Sequence, residues 1–391
     1  YSSRGYTSPL LLSIRLTRVH FLFPIPRVME IRYKGLILLL IFVTPLISPA
    51  VAADWDDDNW LWNLIGPERL EHGDEFACHG YQGININEDN SIIESCKNYI
   101  TQHTNSSRWG SEPISFGVPE IIDNSTISSL KESGFIILGD NLKTDVDDMF
   151  VIQRNGGSIE KNAANISLLE SADRDSLVSI YWEARIFDLK VREDKDAIEF
   201  LENQDVWYTT WGEWYNHQLS SPLITVDGSG KSLTVSLSES SDTKWQVPGS
   251  IMIQTLSSII SITDLHDNLY PVLQPDIKTL QNGWRDVDQG LLLTITAGDT
   301  ITILFDSDHN SSHHPIQTFN GLHHSVTIVG HHVTNLHEWA SDFYDSPLIF
   351  TWLIERPSAL EMDWRLPIIA IGVLIATPLT IRWLVSRDQS L

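Results

Sequence analysis

The amino-acid sequence predicts a mainly β protein with one or two antiparallel β-sandwich domains, an N-terminal signal peptide and a C-terminal transmembrane helix. Short runs rich in β-branched and aromatic residues recur between residues 134 and 354, and such runs are typical of strands. Clusters of Gly, Pro, Asn, Asp and Ser separate them, as turns between antiparallel strands do. Long apolar segments lie near both ends of the 391-residue chain.

The predicted strands form two groups, separated by the Val247-Pro-Gly249 break. The spacing of the strands is that of β sandwiches. A helix is predicted before both groups, at residues 91–102. Residues 198–201 could form a helical turn. The first group comprises residues 134–138, 149–153, 166–169, 177–191, 206–214, 223–226 and 232–237. The second comprises residues 251–254, 258–263, 291–296, 300–305, 324–329 and 348–354.

The segment from Met29 to Ala53 has the three parts of a secretory signal. Arg32 and Lys34 precede an apolar run, and small residues follow it, so cleavage would place the mature N-terminus near Asp54. An uncleaved anchor helix is the alternative. The predicted organisation is an upstream extension at 1–28, a signal peptide at 29–53, a disulfide-containing segment at 54–112, a β domain at 113–245, a His-rich β sandwich at 246–358 and a transmembrane helix at 366–385.

The C-terminal apolar segment is long enough to cross a bilayer. Residues 366–381 carry no charge, and the apolar run continues beyond Arg382. Trp364 and Trp383 suit the two membrane interfaces, and Arg382 and Arg387 suit the cytoplasmic side. The sequence therefore predicts a single-pass type I protein with the bulk of the chain outside the cell membrane. A buried core helix is the alternative.

The net charge of the chain indicates which kinds of molecule the protein can bind. The chain has 26 Lys and Arg against 51 Asp and Glu, a formal net charge of −25. Residues 1–53 hold 6 basic residues and 1 acidic residue, so the remainder has 20 against 50, a net charge of −30. Such a surface repels phosphate backbones, which argues against nucleic-acid binding. The predicted partners are the membrane and an unknown extracellular ligand or surface protein.

Two features fit an exterior location. Cys78 and Cys96 are the only cysteines, and in an oxidising compartment they are predicted to form a disulfide. Glycosylation sequons occur at Asn105, Asn124, Asn165 and Asn310.

Histidines are concentrated near the end of the second group. Eight of the 14 lie between His309 and His337, and imidazoles are ligands for zinc and copper. Because strand residues alternate sides, His324, Val326, Ile328 and His332 share one face, which their apolar members identify as the inner one. The predicted metal ligands are His324 and His332, joined from the preceding loop by His309, His313 or His314. Surface histidines without a metal are the alternative.

Residues 291–362 resemble a cupredoxin domain in two places. The run Leu293-Thr-Ile-Thr-Ala-Gly-Asp-Thr-Ile-Thr-Ile-Leu-Phe305 contains the Gly-Asp turn before a core strand, and His324-Ser-Val-Thr-Ile-Val-Gly330 matches the strand that supplies the first copper ligand. The resemblance implies copper binding by His324. The copper-binding Cys is missing, and only Met362 follows, so a blue-copper centre is excluded.

The function predicted from these features is a membrane-anchored surface protein that acts as a binding or adhesion module and binds zinc or copper through the His-rich segment. The alternative is a copper-dependent electron-transfer or oxidase subunit. A third hypothesis is a hydrolase that uses the aromatic segment Trp207–Tyr215, although these aromatics also suit a core. No nucleophile elbow, zinc-protease motif or phosphate loop occurs, so the sequence names no catalytic residue.

Overall fold

The largest element of the fold is a parallel β-sheet. The computed structural model describes residues 61, 66–81, 83–158, 169–183, 195–239, 244–331, 346–356 and 365–388. Eight strands form this sheet in the order β4-β3-β2-β1-β16-β15-β5, with β6 also paired to β15. They are β1 Glu75–Tyr81, β2 Ser115–Val118, β3 Ile137–Asp140, β4 Phe150–Gln153, β5 Leu177–Glu183, β6 Trp207–Tyr208, β15 Ser325–His331 and β16 Phe350–Arg356. The prediction of a mainly antiparallel sandwich is therefore wrong.

Helices supply the connections that parallel strands need. The described helices are α1 Gly66–His72, α2 Ser91–His103, α3 Asn124–Glu132, α4 Lys195–Glu202, α5 Trp211–Ser220 and α6 Arg365–Asp388. Helix α2 links β1 to β2 and agrees with the prediction. The strand predicted at 206–214 is wrong beyond Tyr208, because the side chain of Thr210 accepts a hydrogen bond from the Glu213 amide and begins helix α5.

Both faces of the parallel sheet are buried. On one face, Phe76, Phe116 and Ile328 share a core with the apolar side of α2. On the other face, Ala77, Val329 and Leu353 share a core with Trp207 and Trp211. Burial on both faces produces near-continuous apolar strands instead of alternating ones.

Glycine makes room for a large ring on the second face. Gly139 in β3 lies against Trp211, and an added Cβ would come within 2.3 Å of that ring. The Trp211 indole also donates a hydrogen bond to Ser179 Oγ at 3.0 Å. Trp207 and Trp211 are both fully buried, so the aromatic segment belongs to the core.

Two small antiparallel sheets occupy the middle of the chain, in the orders β10-β13-β8-β7 and β11-β12-β9-β14. A single apolar core, which includes Val235, Ile253 and Leu293, contains residues of both sheets. The alternating burial of β8 and β13 explains why these two strands are predicted accurately. The strands of the two antiparallel sheets are β7 Ile224–Ser229, β8 Ser232–Leu237, β9 Gly249–Gln254, β10 Ile259–Thr263, β11 Gly283–Val287, β12 Gly290–Ile295, β13 Thr300–Phe305 and β14 Ser312–Pro315.

The segment that resembles a cupredoxin contributes to three sheets. Strand β12 and strand β13 belong to different antiparallel sheets, and β15 belongs to the parallel sheet. Val326 and Ile328 of β15 contribute to the core that faces helix α2. The cupredoxin resemblance itself stays a prediction.

The start of β1 carries two buried carboxylates. Asp74 and Glu75 are both 0% exposed. The Arg69 guanidinium donates to both carboxylate oxygens of Asp74, at 2.8 and 2.9 Å. The carboxyl of Glu75 accepts hydrogen bonds from Ser115 Oγ at 2.5 Å and from the Gly212 amide at 2.8 Å. Burial raises the pKa of Glu75, although these hydrogen bonds oppose the shift.

Residues 61–356 of the described chain belong to one compact unit, and helix α6 belongs to another. Within α6, Pro367–Arg387 is long and apolar enough to cross a membrane, and none of its most apolar 18 residues is buried; it is the one such segment among the residues described. The upstream extension and the signal peptide predicted at residues 1–53 lie outside the described residues.

The predicted disulfide is confirmed. Cys78 in β1 and Cys96 in α2 are bonded, with their Cα atoms 6.0 Å apart. We expect neither cysteine to react with thiol reagents in the native protein until a reductant is added. The double substitution of both cysteines by Ala should lower the free energy of unfolding by about 3 kcal/mol, the chain-entropy value for a loop of this size. Urea denaturation measures this; an unchanged free energy would show that the bridge adds no stability.

Buried His217 should make the fold sensitive to acid. Burial lowers its pKa to about 3, whereas the unfolded value is about 6.5. Between these values the unfolded chain binds a proton that the folded chain does not, so stability falls as pH decreases. Below about pH 6.5, His217 is expected to lower the free energy of unfolding of the wild type by up to about 1.4 kcal/mol per pH unit. The His217→Gln substitution should remove this loss.

The matched control is His313→Gln, because His313 is exposed on β14. Urea denaturation between pH 7 and pH 4.5 should give a flatter profile for His217→Gln than for the control. Identical profiles would mean that His217 does not contribute to acid sensitivity.

Candidate functional site

Ionisable side chains meet at the carboxyl edge of the parallel sheet. His79 lies near the end of β1, Asp140 ends β3, Arg154 follows β4, and Glu355 is the penultimate residue of β16. In parallel α/β proteins, ligands bind in crevices outside the carboxyl ends of the strands. This edge is therefore the candidate functional site.

The His79 imidazole lies between two carboxylates. Its Nε2 is 3.4 Å from Asp140 Oδ2, and its Nδ1 is 3.7 Å from Glu355 Oε1. The His79 side chain is 18% exposed, whereas those of Asp140 and Glu355 are 0% and 7% exposed. The partly exposed ring is thus the member of the three that a ligand can reach most easily.

Asp140 is held in an uncommon backbone conformation. Its φ angle is +78°, a left-handed value that few residues other than Gly adopt, with Asp and Asn the most tolerant. Conformations of this kind cluster at functional sites when the surrounding structure fixes them. Asn141 donates to Asp140 Oδ2 at 2.9 Å, which contributes to that fixing.

Arg154 balances the charge of Asp140. Its Nε donates to Asp140 Oδ1 at 2.7 Å, and its Nη2 contacts the same oxygen. The guanidinium carbon lies 3.4 Å from the centre of the Tyr181 ring, so a cation–π contact also positions it. Asp140 can therefore face His79 as a buried carboxylate without being an uncompensated buried charge.

Gly117 leaves the space that His79 occupies. A Cβ at residue 117 would lie 2.8 Å from His79 Cδ2 and 2.6 Å from Leu353 Cδ1. Both distances are shorter than real Cβ contacts. A residue without a side chain in β2 is therefore part of what positions the imidazole.

A cavity of about 670 Å³ opens beside His79. Its polar lining includes Asn85, Asn87 and Asn141, and its apolar lining includes Ile121, which is 78% exposed. The lining acid Glu120 is already paired with Lys143, with 2.7 Å between the Oε1 and Nζ atoms. Amides beside exposed apolar carbon suit a ligand that is polar but carries little charge.

The histidines predicted to bind metal lie on different elements. His309 contacts Ser311 Oγ at 3.0 Å and the Ser232 carbonyl at 3.3 Å, and His313 and His314 are exposed on β14. His324 is 6% exposed and precedes β15, and His332 lies outside the described residues.

No group of three or more His, Cys, Asp and Glu that could hold a metal is found within the described ranges. Metal binding by His324, His332 and the loop histidines stays a prediction, because His332 lies outside the described residues. Of the predicted sequons, Asn105, Asn124 and Asn310 have exposed side chains, and Asn165 lies outside the described ranges.

The residues of the candidate site are not among those predicted from the sequence. His79 directly follows Cys78 and Asp140 directly follows Gly139, and each pair ends an apolar run. Polar residues at the ends of buried strands were the available signal. That signal has meaning only in a parallel sheet, where the strand ends lie together.

Comparison with known protein families, with curated proteins and with solved structures finds no match to this chain.

A double-mutant cycle tests the charge balance between Arg154 and Asp140. Removing one partner of a buried pair costs about 3–5 kcal/mol, and since Arg154 is 25% exposed we expect Arg154→Met to cost less, about 2 kcal/mol. Asp140→Asn keeps a residue that tolerates a positive φ and should recover much of that loss in the Arg154→Met background. Urea denaturation of the four proteins gives the coupling energy; additive effects would show that the pair is not coupled.

Proposed function

We propose that the protein is a membrane-anchored, extracytoplasmic enzyme that binds a small polar substrate beside His79 and hydrolyses it by general acid–base catalysis. The observation that carries the proposal is the His79 imidazole, partly exposed at a cavity, with a carboxylate facing each ring nitrogen. Histidine is the side chain most often used for proton transfer near neutral pH.

The carboxylates give the imidazole a defined role. When a ring nitrogen accepts a proton from water, the imidazolium that forms is stabilised by the negative charge next to the other nitrogen, as in the histidine–carboxylate pair of hydrolases. Glu355 faces Nδ1 and Asp140 faces Nε2. His79 Nδ1 is buried, so Glu355 is the carboxylate that can support proton transfer at Nε2.

Water is the nucleophile that suits this site. The described cavity lining contains no Ser, Thr, Cys or Lys, which are the usual covalent nucleophiles of acyl-transfer enzymes. The reaction class is accordingly hydrolysis in which His79 removes a proton from the attacking water and returns it to the leaving group. The amide-rich lining favours an uncharged ester, amide or glycoside.

Several features support an exterior location. The Cys78–Cys96 disulfide suits an oxidising compartment, the described sequon asparagines have exposed side chains, and helix α6 has the length and composition of a membrane span. Together with the signal-like sequence at residues 29–53, they favour a single-pass type I topology.

The alternative is the binding or adhesion role predicted from the sequence, and a ligand bound in the cavity beside His79 would need no proton transfer. The binding role differs from the enzyme in one respect: a binding module would keep its function without an imidazole at residue 79. The His79→Gln substitution therefore separates the two functions, because Gln preserves size and polarity but cannot transfer the proton.

The experiment measures hydrolysis of chromogenic esters, glycosides and peptide anilides by the full-length protein in detergent. General acid–base catalysis contributes about 10²- to 10⁴-fold, so we expect His79→Gln to lower kcat by at least about 100-fold, while His313→Gln has no effect. Urea denaturation checks that both variants are folded. Equal rates for wild type and His79→Gln, or no hydrolysis of any substrate class by the wild type, would contradict the proposal.

A further inference from the structure

Two pairs of adjacent histidines within the described residues have different geometries. His313 and His314 lie in β14, an exposed strand, where neighbouring side chains point to opposite sides. His323 and His324 lie just before β15, and their two Nδ1 atoms are 3.1 Å apart. Their rings are nearly perpendicular, at 89°. The second pair therefore places two ring nitrogens next to each other, within hydrogen-bond distance.

The separation of these nitrogens fits two ligands of one ion. Metal–imidazole bonds of about 2.0–2.1 Å place neighbouring ligand nitrogens about 2.8 Å apart at a right angle and about 3.3 Å apart at the tetrahedral angle. The observed 3.1 Å lies between these values. We propose that His323 and His324 bind one copper(II) ion through their Nδ1 atoms, with water completing the coordination.

The backbone holds the pair in place before any ion binds. The His323 carbonyl accepts a hydrogen bond from the Asp175 amide at 2.9 Å, and the His324 carbonyl accepts one from the Trp207 amide at 3.0 Å. The Ser325 amide donates to the Ser176 carbonyl at 2.8 Å. Contacts with two neighbouring segments thus fix both Cα positions, which lowers the cost of ordering the ligands.

The two rings have complementary environments. His324 is 6% exposed, and its Nε2 has no hydrogen-bond partner among the described residues, so Nδ1 is its polar contact there. His323 is exposed, which gives water access to the ion.

Copper(II) is the ion that such a site favours. Nitrogen ligands bind copper(II) more tightly than the other divalent first-row metals. Two imidazoles and open water positions suit its tetragonal geometry. The proposed copper site uses none of the residues of the hydrolytic site and does not depend on it.

The test titrates copper(II) sulfate into the full-length protein in detergent and measures both affinity and nitrogen hyperfine splitting by electron paramagnetic resonance. Loss of an outer-shell partner already costs about 10- to 100-fold in metal affinity. We therefore expect His323→Gln, at an exposed position, to weaken one copper site at least about tenfold and to reduce its spectrum from two imidazole nitrogens to one.

The matched controls are His313→Gln and His314→Gln, from the adjacent pair in β14. They should leave that site unchanged. If His323→Gln binds copper as tightly as the wild type, or if the wild-type spectrum lacks two imidazole nitrogens, the 3.1 Å contact is a hydrogen bond between two rings and the proposal is overturned.

Discussion

The fold depends on the buried carboxylates that place β1 beside β16. Asp74 accepts hydrogen bonds from Arg69, from the Phe350 amide at 3.1 Å and from the Trp352 indole at 2.9 Å. Removing one partner from a buried network of this kind costs about 3–5 kcal/mol, because the remaining charge is left uncompensated. The network therefore fixes a pairing between strands that lie more than 270 residues apart in sequence.

That pairing also determines the chemistry at the other end of the same strands. Ala77 pairs with Leu353 and Gly80 with Glu355, with an irregularity in register between Cys78 and Gly80. In this register the His79 ring reaches Glu355 on one side and Asp140 on the other. Structural carboxylates thus lie at the amino end of β1 and the proposed catalytic group lies near its carboxyl end, while the disulfide at Cys78 ties the strand to helix α2.

Local pattern accounts for the parts of the fold that the sequence predicts well. Helix α2 has an apolar stripe, β8 and β13 alternate in burial, and the two cysteines leave a single intramolecular pairing. The parallel sheet could not be predicted in this way, because its strands are buried on both faces and its central neighbours are distant in sequence. The candidate site could not be predicted for the same reason, because only the parallel sheet brings Asp140 and Glu355 next to His79. The histidine concentration was visible but did not mark the proposed catalytic residue.

The proposed catalytic role of His79 requires that its ring lies between Asp140 and Glu355. Nitrogen-15 NMR of histidine-labelled protein tests it directly, because the two ring nitrogens have separate resonances. We expect Glu355→Gln to shift mainly the Nδ1 resonance of His79 and Asp140→Asn to shift mainly Nε2, while Glu120→Gln, on the cavity rim, has little effect on either. If neither nitrogen responds to the loss of the carboxylate that faces it, the proposed site does not exist in solution.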